Sequence, residues 1–283
     1  MTRQIHDEFA KEYLEELLSP FGQVEKNKKL KSERREIDIF FTPDNSNKKN
    51  LSKIGILSNL AKNICLIEPY RNPCTEIEIQ SCILKLLIMQ AEVRREMKRE
   101  TTELLQEKKP FIWILTPTCS QNILQGFGAK EIKNESKGIY FLPKSFQGAI
   151  IVIHQLPVNE DTLWLRVLGK GTTQQQAVEE LLDLPEENPY RCNLLDILAD
   201  WRKNLELRDN KSEDDHEVIM NLSQAYLQDR EQWIKEGKLE GKLEGKLETI
   251  PLFIKLGLNL EQIAQELNLD QEVINQYLNR DKN

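Results

Sequence analysis

The chain has 283 residues, 39% of them hydrophobic and 30% charged, and a formal net charge of −7. That length holds one large domain or a domain with a smaller appendage, and the balance excludes collagen-like, low-complexity and wholly disordered chains. The charge is uneven, +2 over residues 1–110 and −9 over 111–283, so nonspecific coating of nucleic acid is disfavoured while a local basic groove near the N-terminus stays open.

No apolar run reaches the roughly 18 residues of a membrane helix, and the acidic amphipathic N-terminus lacks a signal-peptide core. A soluble, cytoplasmic protein without a membrane partner is expected. Five cysteines without a CxxC pair read as reduced thiols. His6, His154 and His216 lie far apart in sequence, which gives poor support to a zinc site or a histidine triad. Carboxylates holding Mg²⁺ remain open.

In chain order, Phe9, Tyr13, Leu14, Leu17 and Leu18 recur at helical spacing, and Pro20 with Gly22 stops that helix. Extended segments follow over 24–30 and 37–42, the second reading IDIFF before a polar loop. Lys26, Lys28, Lys29, Lys31, Arg34 and Arg35 form a basic cluster between them. ICLI at 64–67 reads as a buried strand running into Glu68. Thr75 and Glu78 form a capping box that opens a long helix, with Ile79, Cys82, Ile83, Leu86 and Leu87 facing inward. FIWIL (111–115), IYFL (139–142) and AIIVI (149–153) each read as a central strand. After Gly171 the pattern is helical and acidic. The combination predicts an α/β class.

Asp38 sits within IDIFF, where alternation sets it on the face opposite Ile37 and Ile39. Glu68 directly follows ICLI. Carboxylates amid apolar neighbours are costly to bury unless they are paired or hold a cation. Two of them could hold Mg²⁺, activate a water and neutralise a phosphodiester oxygen. Equally, both could lie at solvent-facing strand ends or pair with Arg34, Arg35 or Arg71.

The order helix, Asp strand, (D/E)-x-K strand, helix resembles that of the PD-(D/E)XK nucleases. FAKEYLEELLSPFG, ERREIDIFF, CLIEPYRNP, WILTPT, VIHQLP, LWLRVLGKG and the GK-rich repeat with its tail are similar to a cyanobacterial group of Rpn-like proteins, described as recombination-promoting nucleases or transposases. The resemblance covers nearly the whole chain. It implies a central mixed sheet flanked by helices, with Asp38 and Glu68 as ligands of Mg²⁺ or Mn²⁺. It also implies a helix carboxylate from Glu12, Glu15 or Glu16, and Arg71 or Lys31 contacting phosphate. The departure is Tyr70, which stands where that pattern has lysine. Glu78-Ile79-Gln80 is a poorer candidate, because the capping box puts Glu78 in the first turn of a helix.

Near the C-terminus EGKL repeats every four residues from Glu236, aligning glycines in one row and like charges above one another. Three helical glycines cost about 3 kcal/mol relative to alanine, which a second copy could offset by forming a homodimeric helix pair; a charged linker is the alternative. The tail resembles two helices of a helix-turn-helix with Asp270 as an N-cap, although Asp270 and Glu272 disfavour contact with phosphates. The expected organisation is a nuclease-like domain over 1–170, an acidic helical region over 171–235, the repeat over 236–249 and a small helical tail over 250–283. The expected function is metal-dependent DNA cleavage associated with recombination or mobile elements. The alternative is a catalytically silent relative that acts as an oligomerising DNA- or protein-binding module.

Overall fold

The structure, a computed structural model, describes residues 2–29, 36–44, 53–100, 109–133, 135–222, 245–254, 257–267, 269–270, 273–274 and 277. The chain divides into two compact units, 1–225 and 226–283.

The first unit is an α/β structure built on a mixed sheet. Helix α1 (Thr2–Leu18) buries Phe9, Tyr13, Leu14, Leu17 and Leu18, as their spacing predicts, and ends in a 3₁₀ turn at Pro20. Strands β1 (Gly22–Lys29) and β2 (Glu36–Pro43) form an antiparallel pair. A short helix α2 (Leu57–Leu60) precedes β3 (Cys65–Pro69), every residue of which is buried. Helix α3 (Glu76–Glu100) leads to β4 (Phe111–Thr116) and α4 (Gln121–Gly126). Strands β5 (Lys130–Glu131), β6 (Ile139–Phe141) and β7 (Gly148–Val152) complete the sheet.

Among the described residues the strand order is β1-β2-β3-β4-β7-β6-β5. β3, β4 and β7 pair in parallel and the remaining neighbours are antiparallel. The all-apolar runs of β4 and β7 fit this parallel centre, where both faces are covered. IYFL lies further out than its composition predicts, between β7 and the two-residue β5.

The Thr75–Glu78 capping box forms in both directions: the Glu78 amide donates to Thr75 Oγ1 at 3.3 Å, and the Thr75 amide donates to Glu78 Oε2 at 2.9 Å. From that start, Ile79, Cys82, Leu86 and Met89 of α3 pack against Phe40, Leu66, Ile112 and Ile150 of the sheet. Leu87 points outward instead, 41% exposed, because steps of three and four from Ile79 reach Met89 and pass it by.

The first unit extends beyond the boundary expected at residue 170. Helices α5 (Leu163–Arg166), α6 (Gly171–Leu182), α7 (Arg191–Glu206) and α8 (213–222) all belong to it. The reason lies on α1. Trp201 of α7 stacks on Phe9, with ring centroids 3.8 Å apart, and the buried Tyr13 hydroxyl donates to the Trp164 carbonyl at 2.9 Å. Without α5 and α7 this face of α1 would be exposed.

The second unit has helical residues over 245–254, α9 (Leu260–Leu267) and helical residues at 273, 274 and 277, around a small core of Ile250, Ile263, Leu267 and Ile274. Asn259 and Gln262 cap α9 reciprocally, at 2.9 and 3.0 Å. The Asp270 carbonyl accepts from the Val273 and Ile274 amides, which begins a helical turn where an N-cap was expected. The homodimeric helix pair rested on a repeat whose residues 236–244 lie outside the described residues. No helix among the described residues is long and apolar enough to cross a membrane.

Replacing Tyr13 by Phe removes the buried hydroxyl and with it the bond to the Trp164 carbonyl. The expected cost is about 1–2 kcal/mol, read as a lower urea midpoint with an unchanged slope.

Candidate active site

Strand register brings the two predicted carboxylates together. β2 and β3 are antiparallel with Ile39 opposite Ile67, so one further step sets Asp38 opposite Glu68. Cross-strand neighbours on one face lie within side-chain reach of each other. Both share that face with Phe40 and Leu66, which pack under α3, and both stand at the carboxyl end of β3. A cleft of about 420 Å³ opens there, and Asp38, Glu68, Arg71 and Lys85 are among the residues lining it. The connection after Glu68 is fixed to the end of β4: the Tyr70 amide donates to the Leu115 carbonyl and the Cys74 amide to Thr116 Oγ1, at 2.8 and 3.1 Å.

A lysine is present, but it comes from the helix. Lys85 Nζ of α3 lies 2.6 Å from Glu68 Oε2. Tyr70, in the sequence position expected for that cation, turns its hydroxyl to Cys82 Sγ at 3.3 Å. A second lysine approaches from α1: Lys11 Nζ lies 3.4 Å from Asp38 Oδ1 and donates to Asp7 and to Asn27 Oδ1. Two carboxylates and two ammonium groups therefore meet at one sheet end.

Mutual pairing does not satisfy all of this cluster. Glu68 is almost fully buried, yet no hydrogen-bond donor reaches its Oε1. Burial is the largest influence on Glu68, and the adjacent Asp38 carboxylate adds to it. Together they outweigh the Lys85 ammonium and push the Glu68 carboxyl up to about 8. Such a group is stabilised by a proton or by a cation placed between the two carboxylates.

Other expected residues are placed differently. Glu12 is exposed and borders a separate hollow with Trp201, on the side of α1 that faces α7. Glu15 pairs with Lys26 at 2.7 Å, and Glu16 accepts from Asn193. None of the three reaches the cleft, because the part of α1 that lines it carries His6, Asp7, Phe9 and Ala10. Arg71 lines the cleft but is engaged by Asp214 of α8. Lys28 is paired with Glu25, while Lys31, Arg34 and Arg35 lie outside the described residues.

His6 is a cleft residue that composition alone did not single out. It is buried, its Nε2 lies 3.0 Å from Asp215 Oδ1, and burial followed by the nearby Arg71 charge lowers its pKa. The sequence signals for Lys85 and Lys11 are faint but real. Each is a cation at the border of an apolar helical stripe, beside Cys82–Leu86 and Ala10–Leu14.

Among the described residues, no three His, Cys, Asp or Glu side chains gather to hold a metal ion. Two adjacent carboxylates with an unpartnered oxygen do suit Mg²⁺, which keeps several waters and commonly takes only one or two protein carboxylates beside substrate phosphate. The chain matches no family model, and comparison with curated proteins and with solved structures gave no match.

In the absence of divalent cations, Glu68 makes stability depend on pH. Its carboxyl titrates near 4.5 when unfolded and about 8 when folded, so between those values the folded state holds the extra proton. Stability from this group is full below the unfolded value and falls as pH rises through the folded one. Urea midpoints in EDTA should therefore drop from pH 5 to pH 8 more steeply for the native chain than for Glu68→Gln. Parallel profiles would refute the assignment.

Proposed function

We propose that the chain is a metal-dependent phosphodiesterase acting on DNA, with a PD-(D/E)XK-like site made of Asp38, Glu68 and Lys85. The observation that carries this reading is Lys85 Nζ at 2.6 Å from Glu68, on a strand whose neighbour places Asp38 opposite. The cation that the strand sequence lacks at Tyr70 is thereby supplied from the following helix.

Asp38 and Glu68 would hold Mg²⁺ or Mn²⁺, and when bound such an ion supplies an activated water and neutralises phosphate charge. Lys85 has the chemistry to orient that water and to offset charge developing on the phosphoryl oxygens, since an ammonium in a water-poor cleft acts with little screening. Lys11 holds Asp38 in place through Asp7 and Asn27, which makes it a positioning residue. Association with recombination or mobile elements follows from the family resemblance alone. Binding without cleavage is the second reading, and the lysine partners already held by both carboxylates favour it.

Plasmid nicking separates the two. Cleavage should require Mg²⁺ or Mn²⁺, stop in EDTA, and be lost in Asp38→Ala and Glu68→Gln. Lys85→Ala should retain DNA binding but slow cleavage by about 10²–10³-fold. Glu12→Gln should cleave like the native chain. Cleavage that survives Asp38→Ala would discard the site, and no cleavage by the native chain in either metal would favour the binding reading.

A further inference from the structure

The cleft wall carries a second polar cluster that the proposed chemistry does not use. Arg71 presents its guanidinium edge to Asp214 of α8: Nε lies 3.2 Å from Oδ2 and Nη2 lies 2.9 Å from Oδ1. Lys170 Nζ is 3.2 Å from the same Oδ1 and also donates to Asn72 Oδ1 at 2.8 Å, while His6 Nε2 is 3.6 Å from Oδ2. One carboxylate is thus shared by two cations and approached by an imidazole. A fork of guanidinium donors and a lysine on one anion is also how proteins hold a phosphate oxygen pair.

Arg71 and Asn72 of this cluster belong to the cleft, Lys170 joins them through Asn72, and the anion is brought in by α8. Arg71, Asn72 and His6 line the same cleft as Asp38 and Glu68, three to four residues along the chain from Glu68 in the case of the first two. Arg71 is also fixed independently of Asp214, because Nη1 donates to the Gly169 carbonyl and the guanidinium lies 5.5 Å from the Trp201 ring. Asp214 comes from α8, the last described helix of the first unit.

Helix α8 does not depend on Asp214 to stay in place. Asp215 is fully buried, contacts His6, accepts from the Ser212 amide at 2.8 Å and lies 3.5 Å from Arg208. Val218 and Leu222 are buried as well. One turn beyond Asp214, Glu217 comes against the start of α6: Gly171 there has φ +56, and a Cβ would lie 3.2 Å from Glu217 Oε1. On one α8 face, Asp214 therefore meets a guanidinium and an ammonium while Glu217 approaches the backbone of Gly171.

We propose that Arg71 and Lys170, with Asn72, form a phosphate subsite of the cleft that Asp214 fills in the free protein, so that a nucleic-acid backbone phosphate enters by displacing this carboxylate. The proposal rests on the phosphodiesterase reading of the adjacent carboxylates, and it adds the place where a flanking phosphate is held.

The test is equilibrium binding of the full chain to a fluorescently labelled DNA duplex in EDTA, across a salt titration. Asp214→Asn keeps the shape and one acceptor oxygen, and should bind about 5–20-fold more tightly than the native chain. Its salt dependence should be steeper by about one unit in log K against log salt, since one more phosphate contact releases about 0.9 counterion. Glu213→Gln makes the same change in net charge at an exposed neighbouring position and should leave affinity within about twofold. Adding Arg71→Gln to Asp214→Asn should abolish the gain. Circular dichroism and urea midpoints of each variant report whether α8 stays docked. Binding by Asp214→Asn no tighter than by Glu213→Gln, or a gain that survives Arg71→Gln, would overturn the subsite. Tighter binding without any metal-dependent nicking would keep the subsite and discard the cleavage reading. Nicking that depends on Asp38 without tighter binding would do the reverse.

Discussion

The first unit is organised around the antiparallel pairing of β2 with β3, which forces two carboxylates to face each other at one end of a buried strand. Two like charges that close together are unfavourable in a water-poor setting, and the surrounding elements answer that problem one by one. Helix α3 sends in Lys85, and α1 sends in Lys11 with Asn27 of β1 holding it. Even so, one oxygen of Glu68 has no donor. A fold selected only for stability would place an apolar pair at these positions, since well-packed hydrophobic residues commonly match or exceed a buried ionic cluster.

The same end of the sheet gathers a second set of charges with the opposite arrangement. Around Asp38 and Glu68, anions lie at the centre and cations arrive from helices. Around Asp214, Arg71 comes from the cleft wall with Lys170 beside it, and the anion arrives from α8. The two centres are separated by a few residues of chain at the β3–α3 connection, which Thr116 and Leu115 pin to β4. Rigidity of that short connection sets the spacing between them.

Much of the framework was legible in the sequence because it rests on local pattern. The apolar spacing of α1, the capping box before α3 and the β-branched runs of β2, β3, β4 and β7 each specify an element without reference to the rest. Asp38 and Glu68 were legible too, as carboxylates in apolar company. What sequence could not supply was anything set by register or helix phase. The approach of Lys85 to Glu68 spans 17 positions and depends on where α3 crosses β3. The tie from Arg71 to Asp214 spans 143 positions and depends on α8 folding back onto the cleft. Glu12 illustrates the same limit in reverse: its residue type suited the role, but the phase of α1 turns it toward α7.

Helix α1 is made well before the groups that complete its environment, which come from the later part of the first unit. Tyr13 waits for Trp164, Phe9 for Trp201 and His6 for Asp215, across separations of 151, 192 and 209 residues. Closing loops of that length is entropically costly and slow, so this helix stays without these partners during much of chain elongation. A ribosome-bound chain that ends before α5 lacks the partners of both Phe9 and Tyr13. Until those partners have formed, one apolar face of α1 is an exposed surface of the growing chain, which a fold of the same size with local helix pairing would cover sooner.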